Sequence, residues 1–219
     1  MIIAVDGPAG AGKSTVAKIL AQRLGFLYID TGAMYRAVTL KAMENNLDIN
    51  DAKALAKLAE DSSINLERNQ DGSLRIFLDG RDVSLLIREP RITRFVSDVS
   101  KIKNVRTVLV RLQKEMGSHN DCVLEGRDIG TVVFPDAEKK FYIDANFQER
   151  VKRRFQDLKN LSLKGITPEE VALDLKNRDK IDSTREFAPL KKAEDAIYID
   201  TTDMTIEEVV GKMLSYITS

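Results

Sequence analysis

Eight residues near the start of the chain, Gly7-Pro8-Ala9-Gly10-Ala11-Gly12-Lys13-Ser14, have the types and spacing to hold a chain of phosphates. They fit G-x-x-x-x-G-K-[ST]. Glycines let the backbone bend until its N–H groups converge on phosphate oxygens, and a following helix adds the positive end of its dipole. Lys13 supplies a cation for the outer phosphates, the Ser14 hydroxyl suits Mg²⁺, and Thr15 follows in the same turn. A second set of residues with anion chemistry is scattered further along: Arg36, Arg127, the group Arg150, Arg153 and Arg154, and the pair Arg178 and Arg185. The planar fork of arginine donates two parallel hydrogen bonds to phosphate. Glu149-Arg-Val-Lys-Arg-Arg154 is more cationic than pairing along one short helix needs.

The elements that must carry these residues are legible in outline. Met1–Val5 reads as a buried strand, followed by the glycine loop and a helix from Lys13 to about Leu24, with Gly25 as C-cap. Residues 26–29 form a second strand ending at Asp30. Thr31 opens a helix that Asn45-Asn46 breaks, and residues 51–60 form a short amphipathic helix. Alternating segments at 63–67 and 73–78 around a turn at 69–72 break this rhythm and predict a small β insert over 63–90. Helices are expected at 91–102 and 104–116, strands at 121–125 and 139–143, and a cationic helix at 149–163 able to act as a lid. Thr167-Pro-Glu-Glu170 is a capping box that opens a helix to about Asp179. Residues 197–200 form the fifth core strand, and Thr205-Ile-Glu-Glu208 caps the last helix. This order predicts an α/β fold with a doubly wound, five-stranded parallel sheet, a β-rich insert and a helical lid.

Bulk properties narrow the partners. The 219 residues carry 34 basic and 34 acidic side chains, so any anion site is local, and a general nucleic-acid surface is not expected. No run reaches the ~18 apolar residues of a membrane span. No signal peptide is read at the N-terminus, and Cys122 is the single cysteine; the chain is expected to be cytoplasmic and monomeric. His119, the one histidine, reads as a loop residue. Leu78-Asp-Gly-Arg-Asp-Val83 echoes Leu124-Glu-Gly-Arg-Asp-Ile129. The second copy follows a buried strand, where ligands of open α/β sheets gather; the first reads as a surface turn.

With no Asn-Lys-x-Asp guanine-reading motif, these residues favour a small-substrate kinase over a nucleotide-driven switch, and they leave the acceptor open. If the acceptor is itself a phosphate, its second pKa of about 6 leaves it mostly dianionic at neutral pH, and no general base is required. Catalysis is then positioning, charge neutralisation and exclusion of water.

The chain resembles the bacterial cytidylate kinases, a branch of the nucleoside-monophosphate kinases, over nearly its whole length. The resemblance rests on Asp6–Ser14, Asp30-Thr-Gly-Ala-Met-Tyr-Arg36, the insert ending Ile87-Arg-Glu-Pro90, Glu125-Gly-Arg-Asp-Ile-Gly-Thr-Val-Val-Phe-Pro-Asp136, and Arg178-Asp-x-x-Asp182-x-x-Arg185 running into Ala188-Pro189-Leu190. It implies transfer of the γ-phosphoryl group of ATP to CMP or dCMP with Mg²⁺. By position it implies that Ser97, Arg106 and Asp128 read the cytosine edge. Arg178 and Asp182 resemble the ribose-binding pair. Arg36, Arg127 and Arg185 resemble the phosphate clamp, and Arg153 or Arg154 the lid contacts to ATP. Thr31 stands where some members carry serine, and Glu125 where others carry aspartate.

Overall fold

The computed structural model describes residues 1–69, 74–160 and 165–218. The five expected core strands are β1 (Ile2–Asp6), β2 (Leu27–Asp30), β6 (Cys122–Gly126), β7 (Lys139–Asp144) and β8 (Ile197–Asp200). They pair in the order β2-β6-β1-β7-β8, all parallel. β1 and β6 lie inside the sheet, and both are buried almost throughout, which is why they read as continuous apolar runs rather than alternating ones. Helices α1 (Lys13–Leu24) and α8 (Ile206–Ile217) cover one face, through Val16, Leu20, Val209 and Met213 against Ile3, Val5, Phe141 and Ile143.

On the opposite side, α2 (Thr31–Glu44), α3 (Ala52–Glu60), α4 (Pro90–Ser100) and α5 (Lys103–Gly117) share an apolar cluster with a second, smaller sheet. That sheet is antiparallel, in the order β3 (Ile64–Arg68), β4 (Leu74–Leu78), β5 (Arg81–Asp82). Its inner residues Ile64, Ile76 and Leu78 are buried against the helices. The hairpin turn expected at 69–72 lies almost wholly outside the described residues. The last pair of helices, α6 (Phe147–Asn160) and α7 (Pro168–Thr184), pack through Leu158, Val171 and Leu175, a small cluster that also holds Ala9 of the glycine loop.

Local chemistry explains the boundaries. Asp30 caps α2 by accepting from the Ala33 amide, and Asp51 caps α3. Both expected capping boxes, Thr167 with Glu170 and Thr205 with Glu208, are present.

Several expectations are corrected. The strand expected at 121–125 runs one residue later. The first echo copy is not only a turn: after Asp79-Gly80, both at positive φ, Arg81 and Asp82 form the third strand of the small sheet. The helix expected at 149–163 begins at Phe147, because the Asn146 side chain accepts from the Glu149 amide; residues 161–164 lie outside the described residues. The helix expected to stop near Asp179 continues to Thr184. Its polar end, Asp179-Lys-Ile-Asp182, looks like a solvated terminus in sequence, but Asp182 is buried and paired. A π-helical turn at Ile129–Val133 was not foreseen. Among the described residues no helix is long and apolar enough to cross a membrane.

Cys122 is fully buried in β6, and burial pushes its thiol up to about 11. A buried, protonated thiol is a poor nucleophile. The native protein is therefore expected to resist a thiol-reactive disulfide reagent at pH 8 and to react fully once denatured. Rapid reaction of the native chain would contradict this packing.

Candidate active site

The site lies beyond the carboxyl ends of β1, β2, β6 and β7, where the loops of a parallel sheet converge. Two glycines shape the loop after β1. Gly7, at φ 147°, packs so tightly on β7 that a Cβ there would sit 1.9 Å from the Ile143 carbonyl oxygen. Gly10, at φ 77°, would place a Cβ 2.9 Å from the Arg150 carbonyl oxygen. Pro8, Ala9, Ala11 and Gly12 complete the curve into α1. Lys13 is buried at the head of that helix and donates to the Pro8 carbonyl at 2.6 Å. Burial, with Arg127 nearby, lowers its pKa to about 7. Ser14 and Thr15 are exposed on the first turn.

Ser14 Oγ donates to Glu125 Oε2 at 2.9 Å. The other Glu125 oxygen accepts from the Tyr28 hydroxyl, and the Glu125 carbonyl accepts from Thr31 Oγ1 at 2.6 Å. Burial, helped by Asp30, raises the Glu125 carboxyl above its ordinary range. Asp30 also accepts from Arg36 at 3.0 Å, so one carboxylate caps α2 and orients its arginine.

From the loop outward, cations follow one another. Arg127 is among the causes that depress Lys13. Burial and then Arg127 lower Arg178 to about 10, and Arg154 adds to that effect. Burial also lowers Arg154, and Arg36 contributes to its shift. Lys13, Arg127, Arg178, Arg154 and Arg36 are thus a row of neighbouring cations, within which Arg127 is kept charged by Asp182 despite its burial. Asp182 counters the middle of it: Arg127 Nε donates to its Oδ2 at 2.9 Å, and Arg185 approaches its other oxygen at 3.6 Å. Burial pushes the Asp182 carboxyl up, but Arg127, Arg185 and Arg178 outweigh it and hold the group below its usual pKa.

Beside the row lies a second, almost dry cluster. Arg106 is 1% exposed. It donates to Asp128 Oδ2 at 2.5 Å and to the Ser100 carbonyl at 3.1 Å, with its guanidinium 5.1 Å from the centre of the Tyr35 ring. Arg185 reaches Asp128 Oδ1 at 3.6 Å and donates to the Ala188 carbonyl. Ser97 is buried on α4, one turn before the Ser100 carbonyl that takes Arg106.

Five of these arginines keep a buried nitrogen without a hydrogen-bond partner among the described residues: Nε of Arg36, Arg106, Arg154 and Arg178, and Nη2 of Arg185. A buried donor left unpaired costs about 1–3 kcal/mol. Five such donors converging on one region fit a ligand rich in acceptors.

Two of the sequence-derived arginines are placed elsewhere. Arg153 is not in the row. It donates to the Thr201 carbonyl at 2.6 Å and to Thr201 Oγ1 at 2.9 Å, behind the glycine loop near Gly12. Arg150, grouped in sequence with the phosphate-facing cations, is a buried clamp. It donates to the Ala9 carbonyl at 3.0 Å, the Ala145 carbonyl at 3.1 Å and Asp179 Oδ2 at 2.6 Å, tying the loop to α6 and α7. Arg81 pairs with Glu44 at the surface, and His119 is an exposed turn residue. Sequence reasoning did not single out Tyr28, Tyr35 or Asp179 individually. Each acts by supporting a charged neighbour, and an isolated tyrosine or helical aspartate carries no such signal before the fold is known.

A phosphate cradle with arginines gathered at the carboxyl edge of a five-stranded parallel sheet defines the class of P-loop phosphotransferases that act on small acceptors. The match to known proteins is more specific. A family model described as cytidylate kinase matches residues 3–219. A cytidylate kinase from Lactobacillus johnsonii is 50% identical over 219 residues, covering 99% of this chain and 94% of that protein. Another, from Caldanaerobacter subterraneus subsp. tengcongensis, is 52% identical over 211 residues, covering 96% and 92%. Among solved structures, an uncharacterized protein from Eubacterium ventriosum has a TM-score of 0.53 at 15% identity, covering 100% of this chain and 98% of that one; this likeness concerns the fold alone. The chain belongs to the cytidylate kinase family.

If Arg150 is a clamp for the loop, Arg150→Met should weaken ATP binding about tenfold or more while the choice between CMP and UMP stays unchanged. Equilibrium binding of ATP and initial rates with each acceptor measure the two effects. A change in acceptor choice at unchanged ATP affinity would place Arg150 on the acceptor side instead.

Proposed function

We propose that the residues described above perform the family's reaction, transfer of the γ-phosphoryl group of ATP to CMP or dCMP, with the following division of roles. The backbone from Gly7 to Gly12, Lys13, Ser14 and Thr15 hold the triphosphate of ATP. Arg154 approaches it from α6, which acts as a lid, and Arg153, bonded to Thr201 near Gly12, supports the loop. Arg36, Arg127 and Arg185 hold the phosphate of CMP. Ser97, Arg106 and Asp128 read the cytosine: Asp128 can accept from the exocyclic amine, and Arg106 can donate to O2 or N3. Arg178 and Asp182 hold the ribose, with Thr31 at its edge. The small sheet and the residues up to Pro90 form the monophosphate-binding insert. The observation that carries this reading is the row of cations from Lys13 to Arg36, in which Arg36, Arg154 and Arg178 each keep a buried nitrogen unpaired among the described residues.

The residues present also fit Mg²⁺. That ion prefers a few hard oxygen ligands plus phosphate, and the exposed Ser14 hydroxyl with the Glu125 carboxylate behind it supplies them. Among the described residues no group of three or more metal-binding side chains forms a cage, so the ion would come with the triphosphate. Ser14, with Glu125 behind it, would hold the ion, which would supply positive charge to offset that of the phosphates.

The chain's own part is electrostatic. The acceptor phosphate is already nucleophilic near pH 7. Glu125 is held by Ser14 and Tyr28 rather than aimed as a base, and His119 is remote. What opposes attack is repulsion between two polyanions, and the guanidinium row is placed to offset it. Lid helices that exclude water keep the phosphoryl group from hydrolysis. We place this activity in the cytoplasm, in a monomer.

Two substitutions test the division. Lys13→Ala should lower turnover by orders of magnitude with the fold intact by circular dichroism; wild-type turnover would remove Lys13 from catalysis. Asp128→Ala should reduce the preference for CMP over UMP by about 1–3 kcal/mol in kcat/KM, with Arg81→Ala as a silent control. An unchanged CMP/UMP ratio would take Asp128 out of base reading.

A further inference from the structure

Asp6 is the last residue of β1, directly before Gly7, and it interrupts an otherwise apolar strand with a charge that is 4% exposed. Both of its oxygens are used. Oδ1 accepts from the Ile129 amide at 2.9 Å and Oδ2 from the Gly130 amide at 2.8 Å. These amides open the π-helical turn that follows Asp128. In the sheet, Asp6 stands opposite Gly126 of β6, so strand pairing fixes the residue just before Arg127 while the carboxylate fixes the two just after Asp128.

We propose that Asp6 is a specificity-determining positioning residue: its carboxylate holds the Arg127-Asp128 segment in register with the glycine loop, so that the loop and the cytosine-reading edge are set by one side chain. Arg127 and Asp128 are themselves the ends of two networks, one to Asp182 and one to Arg106. A shift of the turn therefore moves both the phosphate clamp and the base reader. Burial pushes the Asp6 carboxyl up to about 6, with the two amides working against that rise. An ionised group here is held against its own desolvation, which fits retention for geometry rather than for stability.

This inference rests on the reading of the site as one for CMP. Asp6→Asn keeps the shape but turns an N–H₂ toward one of the two amides. It should raise the KM for CMP about tenfold and reduce the CMP-over-UMP preference about tenfold, with ATP affinity changed less than about threefold. Asp6→Glu, which keeps the charge but pushes the turn away by a methylene, should show the same loss of selectivity. Wild-type selectivity and KM in a folded variant would overturn the inference. So would failure of both variants to fold, which would make Asp6 a folding residue. If the wild-type enzyme itself shows no preference for CMP over UMP, the functional reading fails rather than the role of Asp6, and an unaltered KM for either acceptor in Asp6→Asn then overturns that role as well.

Discussion

Like charges repel, and a protein that packs cations side by side in a half-buried cleft must hold them there by other means. In this chain the means are carboxylates placed behind the cations. Asp182 lies between Arg127 and Arg185, Asp30 holds Arg36, and Asp128 holds Arg106. Each carboxylate takes only part of the donor capacity of its arginine, and five buried arginine nitrogens remain unpaired among the described residues. The cleft is thus balanced well enough to fold and still strongly favours incoming acceptors.

The fold makes that balance possible by bringing distant segments to one edge of the sheet. β1 delivers the glycine loop, β2 delivers Asp30 and Arg36 through α2, and β6 delivers Glu125, Arg127 and Asp128. α7 brings Arg178, Asp182 and Arg185 back across the top. Arg150 links the loop to α6 and α7, so the last helices are joined to the phosphate cradle by a buried hydrogen-bonded cation rather than by apolar packing alone. The glycine loop and the last two helices are therefore mechanically linked.

Much of this was legible in the sequence because its signals are local. The five strands, the glycine loop and both capping boxes follow from periodicity and from spacing over a few residues. What the sequence obscured was the meaning of individual charges. Arg150 and Arg153 look like Arg154 in a cationic helix, yet Arg150 turns to the Ala9 carbonyl and Arg153 to Thr201, while Arg154 faces the row. The difference lies in the partners each meets across the fold, Ala9 and Asp179 for one and Thr201 for the other, which no periodicity encodes. The end of α7 is hidden in the sequence for a related reason: the partners of Asp179 and Asp182, Arg150 and Arg127, come from elsewhere in the chain. The two echo copies share Gly-Arg-Asp, but one ends an exposed strand pair and the other a buried parallel strand, and only the strand context separates them.

If one row of cations receives two nucleotides end to end, a single molecule of adenosine and cytidine joined through five phosphates should span it. Calorimetric titration should then show binding at least about a hundredfold tighter than that of ATP or CMP alone, with both ATP and CMP displacing the compound. Affinity no better than that of ATP, with CMP unable to displace the compound, would contradict it.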